Sequence, residues 1–165
     1  MRNKPNSRTR SLCSRRLDLA ALIDDVCLSF RETCQRQRVV VEIDVPDNLW
    51  VDLDPVLIRD AFRKIIENSL DAMPAGGRLA ITSLIGRFGL EIEFADSGPG
   101  LSKDIHDRLF EPFTTTKEHR AGLGLSMVRD IVSVHQGSIT VADCPEGGTA
   151  FTFLFPFRNA ARQAA

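Results

Sequence analysis

The sequence predicts an α+β fold, a two-layer sandwich in which a mixed sheet is covered by helices on one face. Three observations lead there. Helical and strand-like periodicities interleave along the chain, the strands arrive largely as hairpin pairs, and one long connection, residues 94–127, carries a glycine cluster at each end. Pairs of strands alternating with amphipathic helices bury their apolar faces by layering helices on one side of a sheet. The chain has 165 residues, 43% hydrophobic and 26% charged, which suits one domain with a single core.

The elements follow in order. Leu19, Leu22, Ile23, Val26, Phe30 and Cys34 recur at helical spacing and predict one amphipathic helix over 17–38. RVVVEIDV at 38–45 is β-branched and reads as a strand; after a turn at 46–48, residues 49–53, with the only Trp at Trp50, read as a second short strand. Asp54-Pro55 is a helix start, because Asp offers a side-chain oxygen to free amides and Pro lacks an amide that would go unpaired. That helix runs to Met73 with Leu57, Ile58, Ala61, Phe62, Ile65, Ile66, Ser69, Leu70 and Met73 facing the core, and Pro74 ends it. Strands at 78–85 and 90–95 form an antiparallel hairpin about 86–89. Leu125, Val128, Val132 and His135 then predict a helix stopped by Gly137, and strands at 138–142 and 149–155 close the chain around a turn at 143–148.

Charge and cysteine usage narrow the classes. No apolar run approaches the ~20 residues of a membrane span and there is no signal-peptide apolar region, so a cytoplasmic protein without a membrane segment is expected. Cys13, Cys27, Cys34 and Cys144 show no CxxC spacing and read as structural thiols of a reducing compartment. The net charge of −1 hides a basic stretch, residues 1–16, with Arg2, Lys4, Arg8, Arg10, Arg15, Arg16 and no acid. It is expected to be a disordered tail, as is 158–165, with the folded domain at 17–157; the acidic remainder argues against nucleic acid as a partner.

Residues 94–127 read as a lid over a nucleotide, since structureless connections longer than ~12 residues usually serve binding. Alone, each glycine cluster is a turn signal, and GLGLS lacks the Lys-Ser/Thr of a Walker loop. Their order carries more. Glu67-Asn68 lies on the long helix, DSGPG spans 96–100, EPFTTTK spans 111–117 ahead of AGLGLS at 121–126, and GGTAF spans 147–151.

This series resembles the ATP-binding catalytic domain of sensor histidine kinases, in the superfamily that also holds gyrase, Hsp90 and MutL. It covers about 17–157, and the TTTK run and GLGLSMVRDIVSVHQGSITV look most like the nitrogen-regulator type. The resemblance implies a Bergerat-type fold and a Mg-ATP site. It assigns Asp96 to the adenine amine, Gly98 and Gly100 to close approach of backbone to the base, and Thr149 to the wall of the adenine pocket. It assigns Asn68 to magnesium, whose preference for oxygen ligands an amide oxygen meets. Gly122, Leu123, Gly124 and Leu125 open a helix whose free amides face phosphates, and Lys117 is the catalytic candidate at the γ-phosphate. His119 and Arg120 adjoin Lys117 with roles left open; Phe110 and Phe113 brace the lid.

Two departures shape the expected function. Lys64 stands where the family's Asn-x-x-x-Asn box has its first Asn, and where the hydrolytic relatives carry the glutamate that activates water; a charged lysine is no general base, which disfavours a gyrase-like or MutL-like ATPase. None of His106, His119 and His135 has the context of a phosphoacceptor. The chain is therefore expected to donate the γ-phosphoryl group of ATP to a histidine on a separate dimerisation domain, to serve a response regulator indirectly, and to be inactive in autophosphorylation by itself. The alternatives are a non-catalytic nucleotide-binding regulatory module and an anti-sigma-type serine kinase.

Overall fold

The computed structural model describes residues 12–101, 109 and 124–157. Among these the order is β1 (Arg15–Asp18), α1 (Leu19–Leu28), α2 (Arg31–Gln37), β2 (Val39–Asp44), β3 (Trp50–Leu53), α3 (Pro55–Ala72), β4 (Gly77–Ile85), β5 (Gly89–Asp96), α4 (Gly124–Val134), β6 (Ser138–Asp143) and β7 (Thr149–Pro156). The main sheet has five strands in the order β2-β4-β5-β7-β6. Only the β2/β4 pair is parallel, with Val39 opposite Gly77, so the sheet is mixed as the sequence predicts. α3 packs against α1, α4 and β5. Alternate residues of the strands point into this layer: Leu79 and Ile81, Ile92 and Phe94, Phe151 and Phe153 are all buried.

Three rings, Phe62 of α3, Phe94 of β5 and Phe153 of β7, lock helix to sheet, with centroids 5.0, 5.4 and 5.7 Å apart and each ring fully buried. Tilted and edge-on contacts at these distances add to the burial of the rings.

The single helix expected over 17–38 is instead a strand and two helices. β1 pairs antiparallel with β3, Leu17 opposite Val51, in a separate two-stranded sheet. It begins at Arg15, inside the stretch assigned to the tail. Asp18 caps α1 by accepting from the Ala21 amide at 3.3 Å. α1 stops because the Ser29 hydroxyl donates to the Val26 carbonyl at 2.6 Å while the Ser29 and Phe30 amides turn back to Val26 and Cys27 at 3.1 and 3.0 Å, tightening the last turn. Cys34 of α2 still reaches the core, so the helical spacing continues across a break it cannot reveal.

Burial first, then the neighbouring Asp24 charge and Cys34, pushes the Cys27 thiol up to about 12. All four cysteines are free thiols.

Asp54 is the junction between the two sheets and the helices. Its Oδ1 accepts from the Val56 and Leu57 amides at 3.0 and 3.2 Å, capping α3 with Pro55 in the first helical position. Oδ2 accepts from the Cys13 amide at 2.9 Å, tying down the chain before β1. The Asp54 amide itself donates to His135 Nε2 at 2.9 Å, while His135 Nδ1 donates to the Ile131 carbonyl at 2.7 Å, which fixes one neutral tautomer of the ring. Asp54→Ala should cost about 1–3 kcal/mol in urea unfolding through the lost cap and the orphaned Cys13 amide. Asp54→Asn, which keeps an acceptor at the cap, should lose less.

Candidate functional site

β5 delivers Asp96 at its last position, and the chain then turns through Gly98 and Gly100. Asp96 is 5% exposed. Its Oδ1 accepts from the Gly98 amide at 2.9 Å and from the Thr149 amide, at the start of β7, at 3.3 Å. Both land on one oxygen, so Oδ2 keeps its acceptor capacity. Burial pushes the Asp96 carboxyl above its ordinary value; the Gly98 and Thr149 amides and the nearby Ser69 hydroxyl pull the other way.

The turn after β6 backs this carboxylate. The Cys144 amide donates to the Gly148 carbonyl at 3.0 Å, and the Gly147 amide to the Cys144 carbonyl at 3.0 Å. Gly148 has φ of +101°, and a Cβ there would collide with the Asp96 carbonyl oxygen, so only glycine allows the two segments to close. Leu101 donates to Asp143 Oδ1 at 3.5 Å, holding the end of the glycine loop against the same turn.

α3 forms the floor. Lys64, Asn68 and Ala72 recur at i, i+4 and i+8 on one half-buried face that flanks the core stripe. A Cβ on Gly98 would sit 3.0 Å from the Ala72 Cβ, so the glycine loop lies on the C-terminal end of this face. At the other end, a Cβ on Gly124 would sit 2.7 Å from Lys64 Cδ, so the first residue of α4 lies against Lys64. Eight residues at 1.5 Å rise separate these ends by roughly 12 Å. Gly124 is the first described residue of α4, and Leu125 packs partly against the core.

Asp96, Gly98, Gly100 and Thr149 are thus brought together at one end of the α3 face, Gly124 and Leu125 lie at the other, and Asn68 falls between. Lys117, Gly122 and Leu123, together with the lid reading, Phe110, Phe113, His106, His119 and Arg120, lie outside the described residues. Sequence reasoning missed Ser69. It stood among the apolar positions of α3, yet its hydroxyl is buried beside Asp96 without a hydrogen-bond partner of ordinary geometry among the described residues. A lone hydroxyl within a buried stripe was the available signal.

A family model described as histidine kinase-, DNA gyrase B-, and HSP90-like ATPase matches residues 53–159, which contain all of these positions. The chain belongs to this family. It is 36% identical over 141 residues to sporulation kinase A of Bacillus subtilis, covering 85% of this chain and 23% of that protein. It is 33% identical to the signal transduction histidine-protein kinase BaeS of Escherichia coli, covering 87% of this chain and 32% of that protein. The chain therefore spans about a quarter to a third of these relatives. Its fold is similar to the solved catalytic domain of histidine kinase ThkA, with a TM-score of 0.81 at 27% identity, covering 87% of this chain and 97% of that one. ThkA in complex with the response regulator TrrA matches with a TM-score of 0.80 at 27% identity, covering 92% of this chain and 44% of that one.

The raised carboxyl of Asp96 has a sign that can be checked. Below the ordinary value of 3.8 the group is neutral whether folded or unfolded, and its contribution to stability is fully present. As pH rises through the higher folded value the unfolded chain gains more by ionising, and that contribution is lost. Asp96→Asn should therefore melt at or above the wild type at pH 7, and the difference should shrink toward pH 3.8. Thermal melts across that range decide it, and a lower melting temperature at pH 7 would show that the amide bonds to the carboxylate outweigh its burial.

Proposed function

We propose that this chain binds Mg-ATP along the α3 face and donates the γ-phosphoryl group to a histidine on a dimerisation domain outside this sequence, in a two-component relay that passes the group on to a response regulator. The observation that carries the reading is the separation of two unlike ends on one helix face. A buried acceptor, Asp96, stands at one end and Gly124, in the first described turn of α4, at the other, about 12 Å apart along α3. A nucleotide is built the same way, with a hydrogen-bonding base at one end and anions at the other.

In this pose the free Oδ2 of Asp96 takes the exocyclic amine of adenine, a donor that guanine lacks at the same place. Gly98 and Gly100 let backbone lie against the base, with Thr149 in the wall and Ser69 Oγ aimed at the same carboxylate. Gly124 and Leu125, with Gly122 and Leu123 before them, offer amides to the phosphates. Asn68 would offer its amide oxygen to magnesium, which would neutralise phosphate charge there. That fits a cation that seldom relies on an all-protein cage. Lys117 is the residue proposed to meet the γ-phosphate as charge develops on it. A lone pair of the acceptor imidazole forms the new N–P bond while the bond to the β–γ bridging oxygen breaks and ADP leaves. Such work belongs to the cytoplasm, where ATP is held.

The test mixes this domain with a separately prepared histidine-bearing domain and γ-labelled ATP. Acid-labile label on the acceptor is expected; ATP binding without label would leave the nucleotide-holding regulatory module as the reading. Asp96→Asn should lower ATP affinity by at least about tenfold, because the amide turns a donor toward the adenine amine. Asn68→Ala should lose transfer more than binding. ATP affinity of the wild type should fall as pH drops through the raised value of Asp96, above 3.8, since only the carboxylate accepts fully.

A further inference from the structure

Lys64 and Glu67 form an ion pair, Nζ to Oε2 2.6 Å, with side chains 30% and 31% exposed. A pair at i, i+3 on a helix is often no more than a solvated surface contact. This one is placed differently. The stem of Lys64 runs under the start of α4: a Cβ on Gly124 would meet its Cδ at 2.7 Å and its Cγ and Cε at 3.2 Å. The ammonium, one bond beyond Cε, is therefore carried on a stem that lies against Gly124 of α4. Asn68 is one turn further along the same face. A carboxylate at Glu67 would repel anions bound there, and its lysine masks it.

We propose that Lys64 is a phosphate-binding, specificity-determining residue whose ammonium passes from Glu67 to the polyphosphate when nucleotide enters, so that this chain grades its ligands by phosphate charge. The inference rests on the ATP reading above and adds a residue to it. Exchange is cheap because both side chains keep access to water: Glu67 is solvated when released, and Lys64 needs only rotations near its end while its stem stays packed on Gly124. The polyphosphate offers more negative charge than one carboxylate and holds the ammonium more strongly. The same arrangement answers how a lysine occupies a position where other members place a neutral or acidic group: it supplies charge to the phosphates rather than activating water.

The experiment is titration calorimetry of the whole chain with Mg-ATP, Mg-ADP and adenosine. Lys64→Met keeps a stem against Gly124 and removes the charge; Lys64→Gln is the second variant if the first fails to fold, with melting temperatures as the check. Loss of the ammonium should weaken ATP binding about tenfold, ADP less, and adenosine not at all. Lys64→Arg should restore most of the ATP affinity, and Glu67→Gln should raise it about two- to fivefold by releasing the lysine. ATP affinity within twofold of wild type in the Lys64 variants, or adenosine weakened in parallel, overturns the phosphate role. No gain in Glu67→Gln overturns the exchange. Failure is distinguishable from failure of the ATP reading, because in the latter the unaltered chain itself binds neither ATP nor ADP.

Discussion

The carboxylate of Asp96 is the constraint around which the site is arranged. It is buried, which a charged group tolerates only with close partners, and it receives the amides of Gly98 and Thr149 on a single oxygen. Thr149 lies 53 residues from Asp96 in sequence, so one side chain ties the end of β5 to its own following loop and to the start of β7. Gly148 passes directly against the Asp96 carbonyl, so the turn between β6 and β7 closes over the end of β5 only with glycine there. What results is a carboxylate that takes both of these architectural hydrogen bonds on Oδ1. Burial raises its pKa, and the Gly98 and Thr149 amides and the Ser69 hydroxyl oppose that rise.

α3 supplies the second half of the arrangement by having two working faces. Ile58, Ala61, Phe62, Ile65 and Ile66 are fully buried toward the sheet and neighbouring helices. Lys64, Asn68 and Ala72 lie along the edge of that stripe, half-buried. The rings of Phe62, Phe94 and Phe153 therefore set the height of the site floor, since the strand bearing Phe94 also ends in Asp96. Packing density in such a ring cluster leaves little slack, so the distance from floor to carboxylate is fixed by the core rather than by the loops.

The chemistry proposed for this geometry is division of labour. Phosphoryl transfer needs positioning and charge stabilisation more than covalent help, and a rigid face with an acceptor at one end and helix amides at the other provides positioning for the donor. The proposed acceptor lies outside this sequence. Sporulation kinase A and BaeS are matched over 23% and 32% of their lengths.

The sequence by itself determined the elements whose signals are local: the Asp54-Pro55 start of α3, the β4/β5 hairpin and the stop at Gly137. These rest on capping, turn chemistry and short spacing, which neighbouring residues fully specify. Asp96, Gly98 and Thr149 were joined by the family resemblance of their boxes. Only the tertiary structure decided the rest. β1 was invisible because four residues gain strand identity solely by pairing with β3, and the break between α1 and α2 was hidden because the core stripe continues across it. Ser69 read as filler until the fold set it beside a buried carboxylate. Lys64 read as a lost asparagine until the contact with Gly124, 60 residues on, set its stem beneath the first turn of α4. Contacts between residues far apart in sequence follow from how layers stack, and no local pattern carries that information.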